Sequence, residues 1–365
     1  MLDGACRDAL LDDFVRSDLA SVNAQLARLS GGLAPLRVEA VDNARAAEAA
    51  PVWRVDPDGT SRFRFHRKSW AQHPRIIFGR WLDALPLIAA VHAERPVGSC
   101  VLNLGDEGHR PGLAFDGAGA DFTLIPDSFF LQTGGYADLA ATYAGRAIPW
   151  RERRPVLLWR GTTTGREASL DALPRVRLCR AAQLLGDRAD VGFSAASQQF
   201  SGAEPWLRSQ GLLRGYVSHE RYDEYQLHLS IDGNASPWGF LSKLHTGSAV
   251  LKVDSPRRLR QWYYSRLVPW EHYVPIRSDL SDLAPTVRLL LADPARAERI
   301  GAAGQALARS MSYHAEITRA VPVALGAFRA DTERLGAAAA TSVGPRPGHG
   351  ETAERRHVLR GRHGI

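Results

Sequence analysis

Apolar and polar positions along the chain alternate with periods that change from segment to segment. Residues 7–29, RDALLDDFVRSDLASVNAQLARL, space their apolar side chains for one amphipathic helix. The stretch TSRFRFHRKSW has a period of two, with Phe63 and Phe65 on one face and Arg62 and Arg64 on the other, which predicts a half-buried strand. The apolar run LPLIAAV follows, and then VLNLGDEGHRPG, a strand pattern that stops abruptly at Asp106 and Glu107. After AIPWRERR a second pattern begins. PVLLWRG reads as a buried strand and TTTGRE as the loop after it. An amphipathic stretch follows around Val176–Leu185, and ADVGF reads as the next strand. YQLHLSIDG, SPWGFLSKLHTG and SAVLKVDS then read as strand, helix and strand. Strand, helix and strand at this spacing form the crossover unit of a parallel sheet. APTVRLLLADPARAERIGAAGQALARSM supplies closing helices, with Gly301 and Gly304 as candidate interruptions.

The pattern predicts two α/β halves facing across a cleft, with a boundary near residue 150: an N-terminal domain over 1–150, a C-terminal domain over 151–335 whose last helices pack back on the first, and a basic tail over 336–365. The tail, with few large apolar residues, is expected to be disordered. A chain of 365 residues is long enough for two such cores. No run approaches eighteen consecutive apolar residues, and the acidic start MLDGACRDALLDDF does not look like a signal peptide, so a cytoplasmic chain is expected. Cys6, Cys100 and Cys179 lie far apart without metal-ligand spacing, which predicts free thiols and no zinc site.

The net charge of +7 is carried almost wholly by arginine, since Lys68, Lys243 and Lys252 are the only lysines. Guanidinium groups fork onto phosphates and carboxylates, which points to a phosphorylated small molecule or an anionic membrane surface. Nucleic acid is not expected as a partner, because no nucleic-acid-binding motif accompanies the charge.

In open α/β sheets ligands bind beyond the carboxyl ends of strands, so three strand ends carry the candidate chemistry. The first ends in Asp106 and Glu107. The second is WRGTTTGRE, where Arg160, Gly161, Thr162, Thr163 and Thr164 offer guanidinium, hydroxyl and backbone donors to a phosphate; its glycine spacing is not that of a P-loop. An ordinary helix-capping turn is the competing reading. The third is Asp232-Gly233-Asn234, a turn followed by Ala235, by Ser236 as a helix cap, and by a helix starting near Pro237. Trp238 either stacks a base or staples that helix, and Lys243 adds a cation.

These residues resemble the CAP10-like glycosyltransferases of family 90. The resemblance is carried by PWRERRPVLLWRGTTTGRE, IDGNASPWGFLSKLHTGSAVLKV and YYSRLVPWEHYVPIRSDLSDL, in that order. It implies a GT-B fold of two Rossmann-like domains, the N-terminal one facing the acceptor and the C-terminal one holding a UDP-sugar. It implies an inverting, metal-independent transfer without a cofactor, glucose or xylose being the sugar and a glycan such as lipopolysaccharide or capsule the acceptor. VLNLGDEG stands where the family carries its catalytic aspartate, which puts the general base at Asp106, with Glu107 as rival. Arg160 to Thr164, Asp232 to Gly239 and Lys243 take the donor side. FTLIPDSFFLQTGG resembles the family's aromatic loop on the acceptor and sugar side, with Asp127, Phe129, Phe130, Gly134 and Gly135; the two phenylalanines form either a wall for a pyranose or a core beneath a turn. The chain departs from the family at Gly239, where an arginine is usual, and at Gly105, Glu107 and Gly108 around the base. A catalytically inactive UDP-sugar or glycan-binding protein of the same fold is the alternative. Association with the inner face of an anionic membrane is a further expectation.

Overall fold

The computed structural model describes residues 3–29, 35–41, 50–67 and 73–342; Lys68 and residues 343–365 of the expected tail lie outside them. Two sheets organise the chain. The first has six strands: β1 (Leu36–Val41), β2 (Val52–Val55), β3 (Ser61–His66), β4 (Gly98–Asn103), β5 (Gly112–Ala114) and β6 (Phe122–Leu124). The second has five: β7 (Arg154–Thr162), β8 (Ala189–Ala195), β9 (Tyr225–Ser230), β10 (Ala249–Val253) and β11 (Val274–Ile276). The α/β class is therefore present.

The second sheet runs β11-β10-β9-β7-β8 and every pair in it is parallel. In its own strand count this is the doubly wound order 2-1-3-4-5, and the switch point lies between β7 and β9. All six residues of β9 are buried, as a central parallel strand requires. Its polar members are satisfied internally: Gln226 donates to the Trp150 carbonyl at 3.1 Å and the His228 ring lies 2.9 Å from the Tyr222 carbonyl.

The first sheet, ordered β1-β3-β2-β4-β5-β6, is mixed, because β2 runs antiparallel to both neighbours. The cause is local: Asp-Pro-Asp-Gly turns β2 directly back into β3, with Gly59 at φ +81°. Phe63 and Phe65 of β3 point into the core and pack with Trp53, Phe78 and Trp81, while Arg62 and Arg64 pair with Glu39. LPLIAAV belongs to the helix Pro74–Ala93 on this core. That helix is long and apolar enough to cross a membrane, yet most of it is buried inside the protein.

Three local expectations change. The single N-terminal helix is two, Gly4–Val15 and Leu19–Leu29, because Ser17 turns left-handed at φ +61° and Asp18 accepts the Ser21 amide in a new cap. Gly301 and Gly304 do not interrupt the helix Pro294–Ser310; they let it approach the backbone, since a Cβ there would lie 2.3 Å from the Gly247 carbonyl and 2.6 Å from the His272 carbonyl. The final helix, Tyr313–Ser342, continues into the stretch read as tail, where alanines favour helix. It places Ala320, Ala324 and Phe328 in the core of the first sheet. Its buried Glu316 accepts from Arg266 at 2.6 and 2.7 Å and from Trp262 Nε1 at 3.0 Å. The two halves therefore share one seam, which also buries Trp238, Phe240 and Tyr263.

Candidate active site at the seam between the two sheets

Asp106 lies just past the C-terminal end of β4 and meets the loop that follows β9. One carboxylate oxygen accepts from Arg80 Nη2 at 2.6 Å and the other from Asn234 Nδ2 at 2.8 Å. Arg80 comes from the helix Pro74–Ala93, also donates to the Leu104 carbonyl at 2.9 Å, and lies 4.6 Å above the Trp238 ring. Thus one arginine touches the candidate base and the other half of the molecule. Burial raises the Asp106 pKa, but Arg80, the Asn234 hydrogen bond and the Arg166 charge outweigh it and hold the carboxyl below its ordinary value. Its side chain remains 36% exposed, so a hydroxyl can reach it.

Glu107 points the other way. Its Oε2 is 2.8 Å from Arg166 and 3.0 Å from Arg257, and Arg257 also donates to the carbonyls of Gly233 and Asn234. Held by two cations from the far side of the seam, Glu107 organises positive charge and is not placed as the rival base.

At the switch point an arginine outside the sequence expectation does the joining. Arg175 donates to the Thr162 carbonyl at 3.0 Å, to Thr164 Oγ1 at 2.5 Å and to the Asp232 carbonyl at 3.1 Å. Gly233 packs on this clamp, where a Cβ would lie 2.5 Å from Arg175 Nη2. Thr163 Oγ1 accepts the Ser197 amide at 2.8 Å and is thereby tied to the end of β8. Gly161 is required by packing, since a Cβ would meet the Trp159 ring at 2.6 Å.

Arg160, expected on the donor side, is a correction. Its guanidinium is 2.7 Å from the Asp190 carboxylate and donates to the carbonyls of Asp190 and Gly215, because the side chain runs back along the sheet toward the start of β8. Lys243 is another: it is buried, its ammonium donates to Ser230 Oγ at 3.2 Å, and burial together with the Arg175 charge pushes its pKa down to about 7. Ser236 does not cap a helix at Pro237, because the helix begins at Phe240 and Ser236 donates instead to the buried Asp116. Trp238 staples rather than stacks a base: its ring packs edge-on against Phe115 at 5.7 Å and Phe129 at 5.4 Å. Ala235 is buried and accepts the Gly233 amide at 2.9 Å. Gly239 faces open space, and a Cβ there would have only Ser242 Oγ nearby, at 3.7 Å.

The loop from Asp127 to Gly135 divides in two. Phe129 is 49% exposed beside Trp238, whereas Phe130 is fully buried against Tyr136, Trp262 and Tyr313 and cannot wall a ligand. Asp127 is buried, caps the helix Ser128–Gln132 through the Phe130 amide and accepts from Gln261 at 2.5 Å; burial pushes its pKa up to about 7. Gly134 and Gly135 both have positive φ, and Gly135 lets the loop approach the Tyr313 amide, 3.0 Å from where a Cβ would stand. Asp127, Phe130 and Gly135 are therefore structural, a correction to their sugar-side assignment.

Arg80, Arg175 and Arg257 were not singled out from the sequence. The one signal for Arg80 was a cation inside an apolar helix, RIIFGRWLDALPLIAAV, which must find a partner when buried. Among the described residues no group of three or more His, Cys, Asp or Glu side chains is placed to hold a metal ion.

The chain matches the model of glycosyl transferase family 90 over residues 138–316. It is 29% identical to protein O-glucosyltransferase 2 of Danio rerio over 67% of this chain and 49% of that protein. It is 34% identical to human protein O-glucosyltransferase 3 over 40% of this chain and 27% of that one. The chain therefore spans half or less of the length of these relatives. Among solved structures, sucrose-phosphate synthase from Thermosynechococcus elongatus aligns with 55% of this chain and 49% of its own at 17% identity and a TM-score of 0.33, too low to argue from. The matched segment contains the β7 and β9 loops and the ties that bring them to Asp106, so the chain is similar to glycosyl transferase family 90 over the part that carries the candidate site.

Proposed function

We propose that the chain is an inverting, metal-independent glycosyltransferase that moves a sugar from a UDP-sugar to a hydroxyl of a glycan, with Asp106 as general base. The observation that carries this reading is the carboxylate of Asp106, ionised and partly exposed, facing the switch-point loop at 2.8 Å from Asn234. As the acceptor oxygen forms its bond to the anomeric carbon, its proton passes to Asp106. The bond from that carbon to the diphosphate oxygen breaks on the opposite face, and its electron pair leaves with UDP. Arg166 and Arg257, gathered by Glu107, supply positive charge to the departing diphosphate. The backbone N–H groups of Asn234, Ala235, Trp238 and Gly239, which find no acceptor among the described residues, supply further donors.

The relatives' names denote glucosyl transfer, which supports glucose as the sugar, with xylose second. The arginine-borne net charge of +7 supports an anionic acceptor glycan such as lipopolysaccharide or capsule.

The test is UDP release from UDP-glucose and UDP-xylose, with and without EDTA, for wild type and Asp106→Asn. The expected result is EDTA-insensitive turnover of one sugar, reduced about a hundredfold or more in the variant, the scale of a lost general base. Full activity in Asp106→Asn overturns the base. Tight UDP binding without turnover of any donor, with glycan acceptors present, makes the chain a binding protein.

A further inference from the structure

A cavity of about 570 Å³ lies beside the C-terminal part of β10 and the residue that leads into β11, within the size range of small-molecule sites. Gly119 of the first half lines one side of it, so it opens on the same seam as Asp106. Its wall holds three cations, Lys252, Arg258 and Arg260, against one carboxylate, Asp254. Among the described residues, neither the Arg258 nor the Arg260 side chain has a hydrogen bond or an ion pair. Both are exposed, and their positions are set by the backbone: Arg260 pairs with Gly117 across the seam through bonds of 3.1 and 3.2 Å, and Arg258 sits at φ +57°.

Lys252 is the unusual group. It is 7% exposed, its ammonium has one long hydrogen bond, 3.4 Å to the Val253 carbonyl, and among the described residues it meets no carboxylate within ion-pair distance. It lies 5.0 Å from the Tyr264 ring. Burial lowers its pKa while Asp232, Asp254 and Asp116 oppose that shift, and an anion arriving in the cavity would restore a full counter-charge. Tyr264 and Tyr273 form the apolar side of the same cavity. A forked cation array beside aromatic walls fits a sugar that carries a carboxylate or phosphate.

We propose that this cavity is a second carbohydrate subsite, separate from the nucleotide edge at β7 and β9, that holds an acidic sugar of the acceptor. That the sugar belongs to the acceptor rests on the glycosyltransferase reading; the binding itself does not. Asp254 lines both this cavity and the smaller crevice formed by Asp232, Gly233 and Arg257, and the two share no other residue.

The experiment is calorimetric titration of the full chain with glucose, glucose 6-phosphate, glucuronic acid and inorganic phosphate, each with and without saturating UDP. Glucose 6-phosphate and glucuronic acid are expected to bind at least tenfold more tightly than glucose and than inorganic phosphate, with affinities unaltered by UDP. The double variant Arg258→Asn/Arg260→Gln, which keeps a residue tolerant of positive φ at 258, should lose that preference while its UDP affinity stays the same. If its melting transition is lost, Lys252→Met carries the same comparison. Equal binding of glucose and its charged analogues, or no binding of any probe, overturns the site. Inorganic phosphate matching glucose 6-phosphate overturns its carbohydrate character, and displacement by UDP makes it part of the donor's diphosphate site. Retained probe binding in a protein that transfers no sugar overturns the proposed activity and leaves the subsite standing.

Discussion

Asp106 and Asp116 follow neighbouring parallel strands of the same sheet, β4 and β5, and both reach the same loop of the other half, one at Asn234 and the other at Ser236. Their chemistry diverges because their surroundings do. Asp106 stands beside Arg80 with part of its side chain open, and it is held ionised. Asp116 is fully buried, its hydrogen bonds with Ser236 do not offset the burial, and Asp232 and Glu107 add like charge, so its pKa is pushed up to about 7. The first carboxylate is suited to receive a proton from an arriving hydroxyl. The second is a tie between the halves whose proton content changes near neutrality. Proximity to the seam does not separate the two roles; access and the nearest cation do.

Replacing each carboxylate by its amide breaks the comparison most sharply. Asp106→Asn should cost about a hundredfold or more in transfer with an unchanged melting temperature, whereas Asp116→Asn, which keeps an acceptor for Ser236, should leave transfer within about an order of magnitude. Equal losses in both would erase the distinction. Arg80→Met comes next. It removes the cation that lowers the Asp106 pKa, so the acid limb of kcat/KM should move to higher pH, with a loss of roughly tenfold at neutral pH, about 1.4 kcal/mol. A lost rate with an unmoved limb would make Arg80 only a structural brace.

Asn234→Ala removes the cross-seam hydrogen bond to Asp106 and should cost roughly fivefold, about 1 kcal/mol, on kcat more than on UDP affinity. The smallest effect is on stability. Because the folded state keeps a proton on Asp116 and Asp127 where the unfolded chain has released it, their contribution is complete below the ordinary carboxylate range and declines as pH rises toward about 7. Melting temperatures between pH 4 and 8 should show that decline, and Asp116→Asn should flatten part of it.

The same contrast marks what was legible in the chain. Strand β3 was readable because Phe63 and Phe65 alternate with Arg62 and Arg64, and β7 to β10 because apolar runs are bounded by turn residues. The turn Asp-Pro-Asp-Gly before β3 was equally local but went unread, and with it the antiparallel β2 that makes the first sheet mixed. Asp106 was legible as an acid at the lip of an apolar strand. Phe129 and Phe130, adjacent and chemically identical, were not separable, since only packing against Tyr313 and Trp262 sends one inward.

Arg160 and Arg175 show the limit most clearly. By sequence Arg160 sat in the glycine-threonine loop and looked like a phosphate ligand, but Asp190, a residue of the neighbouring strand, takes its guanidinium. Arg175 stood just before the amphipathic stretch read around Val176–Leu185 and carried no signal, but the order of the parallel strands brings it to both switch-point loops. By itself the sequence determined the periods, the turns, the strand ends and so the α/β class and the stretches where chemistry would gather. Which arginine meets which carboxylate at the candidate site was decided only by the tertiary structure, because those partners lie from 26 to 150 residues apart and an ion pair depends on distance in space.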